Sequence, residues 1–334
     1  MVTRQDLHGI MTQRPTPSDP ALLSVIEQRL SLRNLRLVDV ICREGSLLRA
    51  AQSMNMTQSA VTKALQDLEA SVGVRLFDRT NRGAIATPFG EALATHARIV
   101  LSQLRHATQE LAELRDGSGG SVVIGTLLSA SVRLLPRAIS AVLLDRPNLR
   151  VRIVEGTNET LMPLLRRGDL DLVVGRLPEF RARQGVRQEV LLRDEARIVA
   201  GPAHPLVGRV SLKLQEGLGY PWILPSPETT LRRQIDHAFR EAGCDPPAAA
   251  VETVSVLVSR SLLGDGRHLA VWPADLAQAE RALDTVRILP IDLPGTSRPV
   301  GLTLRAEGRM SPAAQVMITA LKAEAEREQG VATP

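Results

Sequence analysis

Between Leu32 and Gly90, apolar residues recur three times at the three- and four-residue spacing of a buried helix face. Leu35, Val38 and Ile41 outline a first helix from Leu32 to Gly45, and Leu47, Leu48, Ala50, Ala51 and Met54 a second that is short and rich in alanine. A polar break, Met54-Asn55-Met56-Thr57, separates it from a third helix. That helix carries Val61, Ala64, Leu65, Leu68 and Val72 and stops at Gly73. Two short strand patterns follow, Val74 to Arg79 and Ala84 to Thr87, around the turn Thr80-Asn81-Arg82-Gly83.

Helix, tight turn, helix is the geometry that places a second helix in the DNA major groove. The face of the third helix opposite its apolar stripe carries Ser59, Thr62, Lys63 and Gln66, with Thr57 and Gln58 at its start. Short polar groups with one long cation can reach base edges and phosphates. A hairpin bearing Arg79 and Arg82 beside such a helix reads as a wing lying along the sugar-phosphate backbone.

Thr87-Pro88 is a helix start, with Thr as cap and Pro at the first helical position. Beyond it, Leu93, Ala97, Val100, Leu104, Ala107, Leu111 and Leu114 alternate spacings of four and three. Their mean period of about 3.5 is what two helices need to pack knobs-into-holes. Such a seam could also lie on its own domain, but pairing with a second copy is favoured, because a reader of this type needs two copies to span successive major grooves.

Asp116-Gly117-Ser118-Gly119-Gly120-Ser121 marks a hinge. After it strands alternate with helices. Val122 to Gly125, Leu149 to Val154 and Leu170 to Val174 are strands, with helices at Ser131 to Leu144 and Glu159 to Arg167. A second unit runs through the strands Glu195 to Gly201, Trp222 to Leu224, Val251 to Val254 and Leu269 to Val271, with helices Thr230 to Ala242 and Val256 to Leu263. Pro299 to Leu304 is a late strand and Ala313 to Glu326 a closing helix. Short apolar strands divided by helices predict parallel sheets covered on both faces.

Open α/β sheets bind ligands beyond the carboxyl ends of their strands. Here those loops hold Ser129, Thr157 with Asn158, Arg176, Ser226 with Thr229, and Ser255. Hydroxyls with one Arg suit a small carboxylate or a polyol. Ser129 and Thr157 could instead serve as helix caps, and Arg176 could pair with Glu155 or Asp171.

Composition changes this picture little. The 334 residues allow two or three domains, and a formal net charge of +5 permits nucleic-acid binding. Two cysteines in different expected domains, Cys42 and Cys244, point to a reducing compartment without a disulfide. The six histidines show no metal-ligand spacing, so neither a metal nor another cofactor is expected. No apolar run approaches a membrane span, and the start has no signal-like segment, which predicts a cytoplasmic protein. A nucleophile elbow, a Walker loop and a zinc-protease motif are all missing from the sequence, which argues against an enzyme.

At residues 50–93, AAQSMNMTQSAVTKALQDLEASVGVRLFDRTNRGAIATPFGEAL, the chain resembles the LysR-type transcriptional regulators almost position for position. It departs at Ser59, where that family usually has Pro, and at Lys63, where it usually has Arg. The resemblance continues more loosely through Ile124-Gly125, Leu134-Leu135-Pro136, Arg146-Pro147-Asn148, Gly168-Asp169-Leu170-Asp171 and His204-Pro205-Leu206. It implies an all-α winged helix-turn-helix domain over 32–87 and a dimerisation linker helix over 88–116. A hinge over 117–121 and a two-lobed α/β, periplasmic-binding-protein-like effector domain over 122–330 would follow. Lobe I would hold 122–193 and 298–330, and lobe II 194–297. Residues 1–31 precede that family's usual start and are expected to form a poorly ordered extension, with an added dimer or DNA contact as the alternative.

The resemblance further implies a homodimer or homotetramer on double-stranded promoter DNA, with RNA polymerase as a further candidate partner. A small-molecule inducer would bind between the lobes. Ser129, Thr157 and Arg176 fall where inducer binds in members that recognise aromatic acids. The effector half looks most like regulators of sugar uptake or aromatic-acid catabolism.

Overall fold

The computed structural model describes residues 30–80, 83–116, 119–178 and 185–331. The chain divides into two compact units, with the division between Leu101 and Ser102.

In the first unit, α1 (Leu32–Glu44), α2 (Leu47–Ser53) and α3 (Gln58–Val72) have side-chain caps at their starts. Ser31, Ser46 and Thr57 each accept a first-turn N–H there. Gly45 and Gly73 end α1 and α3 in the left-handed conformation that a residue with a Cβ resists. The turn between α2 and α3 places Asn55 at φ 53°, a region Asn tolerates better than most side chains. Leu37, Val38, Ile41, Ala50, Ala51, Val61, Leu65, Leu68, Leu76 and Phe77 close into one core. Cys42 packs against it, and burial pushes its thiol up to about 11, which keeps it protonated and unreactive.

The hairpin pairs β1 (Phe77–Thr80) antiparallel with β2 (Gly83–Ala86), from Phe77 opposite Ala86 to Thr80 opposite Gly83. Its position is set by Glu69 on α3, whose Oε1 accepts the N–H groups of Leu76 at 2.7 Å and Phe77 at 3.1 Å. At its far end a Cβ on Gly83 would run into the Gly45 carbonyl oxygen, to which Ala84 donates its N–H. Glu69→Ala strands two N–H groups at buried residues, and should lower unfolding stability by about 2 kcal/mol in a denaturant titration. An unchanged midpoint would remove Glu69 as the tether. Thr87 then caps α4 (Pro88–Asp116), with its Oγ1 accepting the Gly90 N–H at 3.2 Å.

In the second unit β3 (Ser121–Thr126) leads through α5 (Leu128–Ser131) and α6 (Leu134–Asp145) to β4 (Arg150–Glu155), α7 (Asn158–Arg167) and β5 (Leu172–Arg176). β6 (Val186–Asp194) crosses to β7 (Ala196–Ala200). The next elements are β8 (Trp222–Leu224), α8 (Thr230–Glu241), β9 (Ala249–Glu252), α9 (Val256–Leu263), β10 (Leu269–Pro273), α10 (Ala274–Ala282) and β11 (Arg287–Ile288). β12 (Arg298–Arg305) returns the chain to the first lobe, and α11 (Pro312–Val331) closes it.

Two five-stranded sheets result, in the orders β4-β3-β5-β12-β6 and β11-β7-β10-β8-β9. Each is covered on both faces, as the strand pattern predicts. They are mixed rather than parallel. β12 runs antiparallel to β5 and β6, and β7 antiparallel to β10 and β11, because the two crossing segments enter each sheet from the other lobe.

Three sequence expectations change. The helix expected from Ser131 to Leu144 starts later, as α6 at Leu134, with Pro136 in its first turn where a missing N–H is tolerated, and Ser131 ends the short α5 instead. β6 went unrecognised in a charged, half-exposed stretch, VRQEVLLRD. The expected hinge is partly built into the sheet, with the Gly120 carbonyl accepting the Arg150 N–H.

Candidate functional site

α3 separates its residues by solvent exposure. Val61, Leu65 and Leu68 are buried, while Gln58, Ser59, Lys63 and Gln66 are exposed and Thr62 is half-buried. Thr57 is also exposed; its Oγ1 accepts the Ala60 N–H at 3.2 Å and lies 3.1 Å from Ser59 Oγ. Six of the eight proposed DNA contacts therefore share the start and open face of one helix. The other two cannot be placed in the same way. Arg79 lies in β1 without a described side chain, and Arg82 lies outside the described residues.

Sequence reasoning missed Arg33 and Asn34 on α1, which border the same groove as Lys63 and Asp67. Nothing in the periodicity marks them, since α1 reaches this groove through tertiary packing.

Along α4 the expected seam divides. Ala97 is fully buried and Leu93 packs against the core of the first unit, so neither is an open position of the seam. Val100 (44% exposed), Leu104 (44%), Ala107 and Leu111 (67%) remain open to solvent. Phe89, 59% exposed, is a further apolar group on this helix.

In the second unit a cavity of about 450 Å³ opens between the lobes. It gathers Ser129, Thr157, Asn158, Arg176, Thr229 and Ser255 from five separate stretches of sequence. Ser226 does not line it. Its carbonyl faces Thr229, accepting that residue's N–H at 3.0 Å and hydroxyl at 2.8 Å.

Arg176 has neither of the partners expected from sequence. Its Nε and Nη2 donate to Asp194 Oδ2 at 3.1 and 2.9 Å, and its Nη1 donates to Gln234 Oε1 at 2.9 Å. Strand β5 carries it toward the end of β6, where Asp194 also accepts the Ala274 N–H from the second lobe. Burial pushes the Asp194 carboxyl up from its ordinary value, against the pull of the Arg176 guanidinium and the Ala274 N–H.

The main chain of Arg176 is held as well. Ser129 Oγ accepts its N–H at 3.0 Å and Asn158 Nδ2 donates to its carbonyl at 3.1 Å. Ser129 therefore sits inside α5 as a brace and not as a cap. Thr229 and Ser255 do cap, accepting the N–H groups of Arg232 and Val258. Sequence reasoning missed Asp194 and Gln234, which lie 18 and 58 residues from Arg176 with no local signal joining them.

A helix-turn-helix with an open polar face, followed by two lobes around a small-molecule cavity, defines the class of one-chain ligand-responsive regulators. Comparison with known proteins specifies which. Residues 32–91 match the bacterial regulatory helix-turn-helix of the lysR family, and residues 115–326 match the LysR substrate binding domain. PcaQ of Agrobacterium fabrum, an HTH-type transcriptional regulator, is 31% identical over 89% of this chain and 96% of its own. GbpR of Azospirillum brasilense is 32% identical over 89% and 87%.

Among solved structures, full-length OxyR from Pseudomonas aeruginosa superposes with TM-score 0.61 at 22% identity, covering 88% of this chain and 98% of that one. CbnR in complex with its target DNA gives 0.59 at 19% over 88% and 100%; at these identities the likeness shows the fold alone. The chain belongs to the LysR family of DNA-binding transcriptional regulators, with an effector-binding domain behind the helix-turn-helix.

Proposed function

We propose that this protein is a homo-oligomeric regulator that places α3 in the major groove and is switched by a small molecule between its lobes. The exposed face of α3, bearing Thr57, Gln58, Ser59, Lys63 and Gln66, is the observation that carries the reading. Arg79 and Arg82 would place a wing along the backbone, and the open half of the α4 seam would join two copies. A dimer of dimers on an imperfect palindrome is the expected assembly, with RNA polymerase as a further partner.

A ligand shifts the arrangement of the lobes only through differential affinity for its two states. The protein acts in the cytoplasm, beside its DNA, and catalyses nothing. Among the described residues no helix is long and apolar enough to cross a membrane. Turnover of any candidate metabolite by the purified protein would overturn the non-catalytic part.

Lys63→Ala should weaken operator binding. If Lys63 contacts phosphate, the slope of log affinity against log salt falls by about 1 and all sequences weaken alike. If it reads a base, the loss concentrates on one operator position. Gln66→Ala and Ser59→Ala should relax sequence preference; selection from a random DNA pool that returns the wild-type motif for both would remove them as base readers. Binding that is unchanged in Lys63→Ala at every salt concentration would count against the α3 face itself.

A further inference from the structure

We propose that Arg133 is a proton-sensitive latch between the two lobes, shared by Glu328 of its own lobe and Asp275 of the other, and that protonation of Glu328 tightens it. The latch stands on its own geometry; only its bearing on the cavity rests on the reading of that cavity as the effector site.

One wall of the cavity is made where the lobes meet. Leu127, Leu128 and Ser129, at and just before the start of α5, line it from the first lobe, and Trp272, near the end of β10, lines it from the second. Leu128 and Val132 pack against the second lobe's cluster of Trp272, Leu276 and Ala277. Apolar contact of this kind is indifferent to charge. Arg133, the next residue along, adds a tie that is not.

Arg133 Nη2 donates to Asp275 Oδ1 at 2.5 Å, in the first turn of α10. Its Nε lies 3.1 Å from Glu328 Oε1 on α11, the helix that closes the first lobe, yet that oxygen is buried without a partner in hydrogen-bond geometry. One guanidinium therefore serves two carboxylates, and serves Glu328 poorly. The side chains of Asp275 and Glu328 are 17% and 10% exposed, so their charges are screened weakly. Arg133 is 46% exposed, which keeps the tie weak enough for one proton to shift it.

The direction follows from the charges. Across the boundary between the lobes Arg133 attracts Asp275, and ionised Glu328 repels it. A proton on Glu328 ends the repulsion and leaves the guanidinium to Asp275, so both changes draw the lobes together. The other charged groups facing Glu328 are Arg137 on α6 and Glu324 on α11, both in the first lobe; Glu324 is held in turn by Arg137 at 3.6 Å and Arg327 at 3.1 Å. They bias Glu328 without crossing the boundary.

Burial pushes the Glu328 carboxyl up from its ordinary value, against the pull of Arg133, and the Asp275 charge adds to the rise. A proton held more tightly with the lobes together pulls them together. The latch is therefore tightest below the raised value and loosens as pH rises through it.

The chain's two tryptophans supply the test. Trp222 is fully buried in the second lobe's core, whereas Trp272 lies under Leu128 and Val132 and gains access to solvent when the lobes part. Acrylamide quenching of tryptophan fluorescence in the full-length protein, with Trp272→Phe giving the Trp222 background, should fall about twofold from neutral to mildly acidic pH. Glu328→Gln, uncharged at every pH, should give the low value throughout. Asp275→Asn and Arg133→Met should give the high value throughout.

Wild-type quenching that ignores pH, a pH response that survives in Glu328→Gln, or wild-type behaviour in both Asp275→Asn and Arg133→Met overturns the latch. The last two act from different lobes, so a folding defect in one leaves the other to decide. No ligand enters the measurement. A failed latch therefore leaves the effector reading of the cavity standing, and operator binding by the same preparation shows that the regulator reading stands as well.

Discussion

A protein carrying Leu104→Asp will run as a monomer on sizing and bind its operator about 10²–10⁴ times more weakly than the wild type. Leu104 is 44% exposed on the open half of the α4 seam, with Val100, Ala107 and Leu111 on the same stripe. A carboxylate there would be desolvated against apolar side chains of a second copy, with no cation of the stripe to meet it. The affinity loss follows from linkage. Two copies joined by α4 as proposed would deliver the second α3 to its half-site at high effective concentration, a gain of about 10²–10⁴ that monomers would forfeit. Leu283→Asp, at a position 68% exposed and outside the helix, is the control and should leave the oligomer intact. A wild type that already runs as a monomer, or a Leu104→Asp protein that remains a dimer, would end the self-pairing proposal.

Arg176→Met should cost the second unit about 3–5 kcal/mol in chemical unfolding, the range for removing one partner of a buried ion pair. Arg176 and Asp194 are 6% and 5% exposed, so solvent does little to screen the charge left behind. The double variant Arg176→Met with Asp194→Leu should recover much of the loss, because no charge then remains buried.

The pH dependence has a definite sign. The Asp194 carboxyl already sits above its ordinary value because of burial, and loss of the guanidinium raises it further. A raised carboxyl binds its proton more readily folded than unfolded. Folding is therefore favoured below the ordinary carboxylate range, and the advantage is lost as pH rises through the folded value. The Arg176→Met deficit should be smaller at mildly acidic than at neutral pH. A deficit below about 1 kcal/mol, typical of an exposed pair, would show that the Arg176–Asp194 pair does not act as a buried one.

These two predictions draw on different levels of the protein. The α4 seam could be read from sequence because a 3.5-residue period depends on chain-local geometry alone. Which of its positions face outward could not, since Ala97 is fully buried and Leu93 packs against the first unit's core. Of the Arg176 site, sequence pointed to the residue and its loop, but not to its function there.

By itself, the sequence determined the three helices of the first unit, the break at Asn55, the polar face of α3 and the alternation of strands and helices in the second unit; the two-lobed plan came from the family resemblance. The local features follow from side-chain periodicity, capping residues and glycine positions, which act over a few residues. Tertiary structure decided the rest. It set β12 antiparallel between β5 and β6, brought Asp194 and Gln234 to Arg176, and turned three helix N-termini onto one cavity. Those groups lie tens of residues apart along the chain, and the packing of two sheets sets their separation, so no local pattern could announce them.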